Sequence, residues 1–314
     1  MQNKNKDDRF IKARKSQLHW YRDVPLYSQA DESKFVLYKP SGITLSEMRM
    51  TKGLHPDILY IKTDDKIKGL QEAQKAFNKQ LEKDIKAGKP EKIKETLITI
   101  VGETFLEPRS GSLEGVSNSV GILISDYSKK NNIVKKLLEI STSDYTTVLH
   151  SINVMTFSLA FALYMNFSPS EIKNLGLSAL LHDVGKTKIP TDILTAPRKL
   201  TEEEYSIIKT HTTLGHRILI KCKFGSDEIS TVAQDHHERI DGSGYPERKK
   251  SLSKATQIIG LIDCYEALTT DDRPYRNAIG GFDSFNRVLK DEILNGKFDM
   301  DLCTLFIKSI GGKI

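Results

Sequence analysis

Apolar residues recur at helical spacing throughout the second half of the chain, where strand signals are scarce. A repeat of this kind places the apolar side chains of a segment on one face of a helix, where they can be buried together. We therefore predict an all-helical bundle domain over residues 141–314. Its helical segments are expected at 148–164, 172–181, 207–220, 255–268 and 282–293.

The first 64 residues show a different pattern. The runs Phe35–Tyr38 and Asp57–Lys62 are apolar and strand-prone, and they lie beside Gly and Pro turn signals. A short helix is expected between them, at 46–52. These signals predict a small α/β N-terminal module over residues 1–64, in a chain that is mainly α.

Residues 65–140 are rich in Lys, Glu, Gln, Ala and Leu, which favour helices. The segment is either a helical connecting region, used for dimerisation or signal coupling, or it completes the core of the second domain. Both interpretations are open. Helices are expected at 66–86, from 90 to about 106, at 110–130 and at 134–140.

The composition fits a globular protein, with 38% hydrophobic and 28% charged residues. No apolar run approaches the roughly eighteen residues of a membrane span, and the first residues are too polar for a secretory signal, so we expect a cytoplasmic protein. The three cysteines are widely spaced, which argues against disulfides and zinc–thiolate sites. The net charge of +6 is compatible with a phosphate-bearing ligand, but no basic stripe interleaved with aromatics predicts binding to a nucleic-acid polymer.

Six of the eight histidines fall within the helical domain, and three of those six are next to Asp or Glu. Imidazoles and carboxylates held on helices are typical ligands of transition-metal sites. His182 and Asp183 follow an apolar helix that we expect Gly185 to end as its C-cap. Consecutive helix positions diverge by about 100°, so the pair is not expected to bind one ion side by side, and Asp183 suits a bridge between two ions. A buried histidine with Asp183 as a cap is the alternative.

Further polar residues strengthen the metal interpretation. His150 and His211 lie in apolar helical segments, where each alone would be a core-edge or surface histidine. The adjacent His236 and His237 precede a Gly-rich turn, which lets the backbone approach a ligand closely. Asp263 interrupts an apolar helix, and a buried Asp is rare unless it is paired or ligated.

Together these segments resemble the HD-GYP subgroup of the HD-domain phosphohydrolases, which are metal-dependent cyclic di-GMP phosphodiesterases. The ordered set is far more specific than a single His-Asp pair. The resemblance implies that the predicted helical domain is an HD-type bundle. The resemblance covers about residues 141–310 and extends only weakly to the N-terminal strands. The matching segments are His150-Ser151, 182–190, 200–215, 236–246 and 263–276.

The resemblance implies a site for two transition-metal ions, typically iron or manganese. One ion would be bound by His150, His182, Asp183 and Asp263, and Asp183 would bridge to the second. Two such ions activate water and offset charge on the phosphoryl oxygens of a phosphodiester. The remaining ligands of the second ion would be His211, His236 and His237.

The resemblance also implies substrate contacts and partners. Lys186 would act with Asp183 in catalysis by binding a non-bridging phosphate oxygen. Arg273 and Arg276 are candidates for phosphate or guanine contacts, and Tyr245 of the Gly-Tyr-Pro segment would contact the ligand or shape the pocket lip. Alternatively, the Gly-Tyr-Pro loop binds a partner such as a diguanylate cyclase. A homodimer is also expected.

Thr146 departs from the family pattern. Some members place a Glu at this position, one turn before the first His, where it helps to hold a third metal ion. A neutral hydroxyl is a poor ligand beside a carboxylate, so we predict a dinuclear site. The lack of a third site also puts further cleavage to GMP in doubt and predicts that linear pGpG accumulates.

Three functions follow from these residues. The first is hydrolysis of cyclic di-GMP to pGpG in bacterial second-messenger signalling. The second is the same metal chemistry on another substrate, such as cyclic GMP-AMP or a nucleotide phosphate. The third is a non-catalytic receptor or scaffold, which the presence of all seven ligand positions and Lys186 argues against.

Overall fold

The computed structural model describes residues 9–31, 34–48, 55–108, 110–128, 134, 136–137, 146–269 and 290–310. The chain forms two compact units, residues 1–81 and 82–314. The division into three parts, with boundaries at 64 and 140, stays a prediction.

The first unit contains a four-stranded antiparallel sheet with the strand order β1-β4-β2-β3. The strands are β1 (Phe10–Lys12), β2 (Leu26–Asp31), β3 (Lys34–Lys39) and β4 (Tyr60–Lys62). Phe10 stacks on Phe35, with ring centroids 4.3 Å apart, and Leu26, Leu59 and Ile61 are buried. The predicted α/β character of the N-terminal part is confirmed.

The sequence predicts β3 and β4 but neither β1 nor β2. β1 has only three residues, and β2 contains Ser28, Gln29 and Asp31, none of which favours a strand. Pairing with neighbouring strands therefore decides their conformation. The helix expected at 46–52 is a single 3-10 turn at Leu45–Glu47, and residues 49–52 lie outside the described ranges.

The described part of the second unit consists of helices and the turns between them, which confirms a mainly α chain. Two helices begin before it, α1 (Lys15–Leu18) and α2 (Lys66–Ala87). The others are α3 (Pro90–Leu106), α4 (Ser110–Ser128), α5 (Thr147–Tyr164), α6 (Pro169–Leu181), α7 (Thr191–Leu194), α8 (Glu202–Lys209), α9 (His211–Cys222), α10 (Asp227–Asp235), α11 (Lys254–Thr269), α12 (Lys290–Leu294) and α13 (Met300–Ser309).

Helices α5 and α6 are joined by a short turn and pack on each other. The turn ends in a capping box: the Ser168 backbone N–H donates to Glu171 Oε2 at 2.8 Å, and the Glu171 N–H donates to Ser168 Oγ at 3.4 Å. Pro169 occupies the first helical position, where its missing N–H costs no hydrogen bond. The start of α6 is therefore fixed locally, by its own sequence.

Gly176 marks a close contact between three helices of this unit. A Cβ at this position would lie 2.8 Å from Leu159 Cδ2 on α5 and 3.1 Å from Val120 Cγ1 on α4. Helix α3 also packs against α5. Helices α3 and α4 are thus part of the helical core, which favours the second interpretation of this segment over a separate connector.

The apolar spacing at 207–220 belongs to two helices, α8 and α9. Thr201 and Glu204 form a capping box that starts α8 before residue 207, and the chain leaves α8 at Thr210 before α9 begins at His211. The expected helices at 134–140 and 282–293 fall largely outside the described residues.

Contrary to the expectation from the sequence, helix α5 is long and apolar enough to cross a membrane by length and composition alone. However, 61% of this stretch is buried inside the protein. Burial of that extent is typical of the core helix of a globular unit, and α5 also carries His150 toward a cluster of polar residues.

Candidate metal centre

The structure brings all seven expected ligands together within the second unit. His150 lies on α5, His182 and Asp183 follow α6, and His211 is the first residue of α9. The others come from the end of α10 and from α11. Among the described residues, three sets have ligand atoms within 4.8 Å of one another. These sets are His150, His182 and Asp183; His211, His236 and His237; and His182, His236 and Asp263.

Asp183 lies between two pairs of histidines. Its Oδ2 is 3.5 Å from His150 Nε2 and 3.4 Å from His182 Nε2. Its Oδ1 is 3.2 Å from His211 Nε2 and 3.9 Å from His236 Nε2. Each carboxylate oxygen therefore faces a different pair, which is the geometry of a bridging ligand.

Asp263 also faces both sides of the cluster. Its Oδ1 is 3.0 Å from His150 Nε2 and 3.9 Å from His182 Nε2. Its Oδ2 is 3.8 Å from His237 Nδ1. The carboxylate from α11 thus faces histidines of both groups.

His182 and Asp183 converge, contrary to the expectation that consecutive positions diverge. The reason is that α6 ends at Leu181, with His182 as its C-cap residue and Asp183 outside helical geometry at φ −97° and ψ 8°. The chain bends between the two residues, so that His182 Nε2 and Asp183 Oδ2 lie 3.4 Å apart. The pair can therefore serve one ion together.

Gly185 does not cap α6, so its predicted role is wrong. It lies within a 3-10 helix, Val184–Lys188, that follows Asp183. A Cβ at this position would lie 1.9 Å from the carbonyl oxygen of His211 and 2.5 Å from the backbone N of Gly215. Glycine is required here because the start of α9 crosses this turn, and that crossing carries His211 to Asp183.

Three of the histidines are oriented by carbonyls of their own local backbone. His182 Nδ1–H donates to Ala179 O and His211 Nδ1–H to Ile208 O, both at 2.6 Å. His236 Nδ1–H donates to Ala233 O at 3.1 Å and to Val232 O at 3.2 Å. A carbonyl only accepts, so the proton lies on Nδ1 and the Nε2 lone pair of each ring faces the cluster.

The protonation states suit ligation. Burial lowers the pKa of His211 to about 4 and holds the pKa values of His236 and His237 well below their usual range. Burial also raises the pKa of Asp183, but the Lys186 ammonium and His182 more than offset this, so the pKa lies well below the usual range. The same holds for Asp263, where the neighbouring His150 opposes the effect of burial. Neutral imidazoles and ionised carboxylates are the forms that bind metals.

The donor set fits transition-metal ions. Asp183 Oδ1 is buried and has no hydrogen-bond donor among the described residues, and a buried charged oxygen without a donor is costly unless a cation satisfies it. The ligand atoms are nitrogen and oxygen, without thiolates, as iron and manganese sites prefer.

Lys186 lies at the edge of the cluster. Its ammonium donates to Asp183 Oδ2 at 2.5 Å, and its side chain is 16% exposed. Lys186 therefore places a positive charge between the Asp183 carboxylate and the solvent.

Three residues form what we call the aromatic wall: Tyr205, Lys209 and Tyr245. The Tyr245 ring stacks on His237, with centroids 4.7 Å apart and an interplanar angle of 27°. Lys209 Nζ lies 4.6 Å from the Tyr205 centroid and 5.4 Å from that of Tyr245. The wall adjoins the cluster through His237, and sequence reasoning identified only Tyr245 within it.

Two other predicted contacts, Arg273 and Arg276, lie outside the described residues. The structure adds Glu266 and Asn153, which contact each other and are linked to His150. Glu266 is the second carboxylate on the apolar helix α11, one turn after Asp263. That spacing could have singled out the residue, but it does not reveal the contact with His150.

Comparison with known proteins gives the family. The HD domain model matches residues 132–302. A cyclic di-GMP phosphodiesterase of Pseudomonas aeruginosa is 34% identical over 182 residues, which cover 57% of this chain and 43% of the relative. A cyclic di-GMP phosphodiesterase of Thermotoga maritima is 34% identical over 169 residues, 52% of this chain and 45% of the relative. The chain thus spans less than half the length of these curated relatives.

Two further proteins are similar to this chain, one in sequence and one in fold. A 3′3′-cGAMP-specific phosphodiesterase of Vibrio cholerae is 32% identical over 165 residues, 52% of this chain and 38% of the relative. A solved HDG"Y"P protein of Bdellovibrio bacteriovorus has the same fold, with a TM-score of 0.63, 20% identity, and coverage of 96% of this chain and 98% of that one. The HD-type helical fold is confirmed, and the chain belongs to the HD domain family.

Proposed function

We propose that this chain is a metal-dependent phosphodiesterase that hydrolyses cyclic di-GMP to linear pGpG at a dinuclear site. The observation that carries the proposal is the position of Asp183, whose two oxygens each face a different pair of histidines. A carboxylate placed in this way would hold two ions, and two ions would supply the chemistry of two-metal hydrolysis. The names of two relatives, from Pseudomonas aeruginosa and Thermotoga maritima, support cyclic di-GMP as the substrate.

The seven residues would hold two ions, with iron or manganese suited to their nitrogen and oxygen donors. Bound ions would supply Lewis acidity, which activates water and offsets charge on the phosphoryl oxygens. The first ion would be held by His150, His182, Asp183 and Asp263, and the second by Asp183, His211, His236 and His237.

Lys186 would act on the substrate. Its ammonium is charged, partly exposed and beside Asp183, so it can donate to a non-bridging oxygen of the phosphodiester. Such a charge-assisted hydrogen bond positions the phosphate and offsets its negative charge. Arg273 and Arg276 stay predicted contacts for phosphate or guanine.

Tyr245 would shape the pocket lip. Its ring lies against His237 and is held there between the cluster and Lys209. This position favours a pocket role for the Gly-Tyr-Pro segment. Binding of a diguanylate cyclase or another signalling partner by this loop, a homodimer and a cytoplasmic location stay predictions.

Thr146 supports a site for two ions. Its Oγ1 accepts the backbone N–H of Leu149 at 3.1 Å and caps the start of α5. The hydroxyl is thus engaged with the helix end, and it offers no carboxylate to a third ion. We propose that pGpG is the end product for this reason.

Cyclic GMP-AMP is the second candidate substrate, because a relative of similar identity is named as specific for it. A panel of cyclic di-GMP, 3′3′-cyclic GMP-AMP and cyclic di-AMP, assayed with Mn(II) or Fe(II), separates the two. The proposal expects fastest turnover of cyclic di-GMP, with pGpG as the product. Tight binding of one dinucleotide without turnover would instead identify a receptor.

Asp183→Ala tests the bridge. We expect metal content and activity to be lost together, with a fall in kcat of more than about 100-fold. Mutation of a residue that only supports a metal ligand costs up to about 100-fold, and loss of the ligand itself should cost more. Metal is counted by mass spectrometry on protein purified without oxygen, where the wild type should hold two ions per chain. Full activity of Asp183→Ala would refute the bridging role, and three ions per wild-type chain would refute the dinuclear site.

A further inference from the structure

His150 differs from His182, His211 and His236 in the group that faces its second ring nitrogen. The Nδ1 atoms of His182, His211 and His236 face backbone carbonyls of their own segments. His150 Nδ1 instead lies 2.5 Å from Glu266 Oε2, a carboxylate on a different helix and 116 positions away. A charged acceptor strengthens the hydrogen bond and makes the ring a stronger donor at Nε2.

Glu266 is held by both of its oxygens. Its side chain is 1% exposed, and its Oε1 accepts Asn153 Nδ2–H at 2.8 Å while Oε2 accepts the proton of His150 Nδ1. His150 and Asn153 are three residues apart on α5, so they lie on one face of that helix. The carboxylate therefore spans one turn of α5 and is fixed in orientation.

The charge of Glu266 is balanced inside the core. Lys94 on α3 is only 4% exposed; burial lowers its pKa, and the Glu266 carboxylate raises it. A buried carboxylate is tolerated when cations and hydrogen-bond donors surround it. Lys94, Asn153 and His150 supply these around Glu266.

Glu266 lies behind the His150 ring and not at the metal cluster. His150 Nε2 faces Asp183 and Asp263, at 3.5 and 3.0 Å, while Glu266 faces Nδ1 on the opposite side of the ring. Its effect on an ion would therefore pass through the imidazole.

We propose that Glu266, anchored by Asn153, is a positioning residue that fixes His150 and strengthens its bond to the ion it shares with Asp183 and Asp263. This inference rests on the proposed metal site. The two metal positions would then differ. At one position, His150 donates its Nδ1 proton to a buried carboxylate; at the other, His211 and His236 donate theirs to backbone carbonyls.

Glu266→Gln tests the inference. The amide oxygen of Gln can still accept from Asn153, but the amide NH₂ cannot accept the His150 Nδ1 proton. His150 then either loses its hydrogen bond to a charged acceptor or moves its proton to Nε2, where it would block the ion. Titration of metal-free protein with Mn(II) by calorimetry should show one of two sites weakened about 10- to 100-fold, as for other outer-shell partners. The second site should keep its affinity. Asp84→Asn is the matched control, since Asp84 is a buried carboxylate that accepts from Thr96 in the same unit, and it should leave both affinities unchanged.

The outcomes separate the inference from the proposed function. A wild-type protein that binds no Mn(II) or Fe(II) overturns the proposed metal site itself. Two wild-type sites that are both unchanged in Glu266→Gln overturn only the role of Glu266. If Glu266→Gln does not fold, Asn153→Ala removes one anchor and should weaken the same site several-fold, in a metal-free protein that still unfolds cooperatively. Unchanged affinities in a folded Asn153→Ala protein would then overturn the inference.

Discussion

At the scale of single residues, the site depends on how buried charges are compensated. Burial raises the pKa of Asp183, while the Lys186 ammonium and the neighbouring histidines lower it by more. Lys186 is also the partly exposed member of this group. One side chain therefore stabilises the ionised ligand and presents a positive charge where a phosphate would bind.

Lys186→Met should reduce kcat/KM for cyclic di-GMP by about 10- to 100-fold, because a hydrogen bond to a charged group contributes about 1.5–3 kcal/mol. Metal content should stay at the wild-type level, because bound cations would keep Asp183 ionised in place of the Lys186 ammonium. Lys188→Met is the matched control, as Lys188 is exposed two positions along the same 3-10 helix. Loss of metal in Lys186→Met would show that the residue supports the cluster and does not act on the substrate.

The sequence predicts those site residues that lie beside another polar residue or within a recognisable motif. His182-Asp183 and His236-His237 stand out as adjacent polar pairs, and the order of the motifs completes the set by resemblance. The sequence did not predict a role for Glu266, because that role depends on its contact with His150, which is 116 positions away. A contact of that separation becomes visible only when α5 and α11 are packed together.

At the scale of secondary-structure elements, helix interiors and capped helix starts follow from the sequence, whereas the turn after α6 does not. The apolar spacing of 148–164 and 255–268 corresponds closely to α5 and α11. The end of α6 departs from expectation because α9 crosses it at Gly185, where a Cβ would meet the backbone of another helix. Local propensity cannot reveal such a crossing, and the short strands β1 and β2 are missed for the same reason.

Gly185→Ala should destabilise the protein and displace His211. The added Cβ would lie 1.9 Å from His211 O, so the turn and α9 must separate, at a cost of at least about 1–3 kcal/mol. We expect a lower melting temperature of the metal-free protein and weaker binding of the ion that His211 holds.

Gly102→Ala is the control for this substitution. A Cβ at Gly102 meets nothing within 4 Å, and the residue lies inside α3, so alanine should stabilise the helix by up to about 1 kcal/mol. Equal melting temperatures for the two variants would show that the crossing at Gly185 is not tight in solution.

At the scale of the whole molecule, the metal centre belongs to the second unit and depends on its complete fold. The ligands span residues 150 to 263 and come from α5, α9, α11 and the ends of α6 and α10. No single helix or hairpin holds enough of them to bind an ion. Folding of this unit and formation of the site are therefore one event, and the protonation of the ligands must affect the stability of the metal-free protein.

The metal-free protein should lose stability as the pH falls from about 6.5 toward 4. Burial lowers the pKa of His211 to about 4, whereas a histidine in the unfolded chain titrates near 6.5. Between these values the unfolded chain binds more protons, so the free energy of unfolding falls with the pH. His236 and His237 shift in the same direction, and the difference for His211 alone corresponds to on the order of 3 kcal/mol. Asp183 and Asp263 add to the loss only below about pH 4, where carboxylates of the unfolded chain become protonated.

Urea unfolding of protein stripped with a chelator, measured at several pH values between 7 and 4.5, checks this prediction. His211→Gln should flatten the dependence, because it removes one group that is neutral when folded and charged when unfolded. Bound metal should move the loss of stability to lower pH, since the ion competes with protons for the same ring nitrogens. A free energy of unfolding that stays constant from pH 7 to 5 in the metal-free protein would mean that these rings are hydrated or protonated in the folded state, and the cluster would then not be preformed for metal.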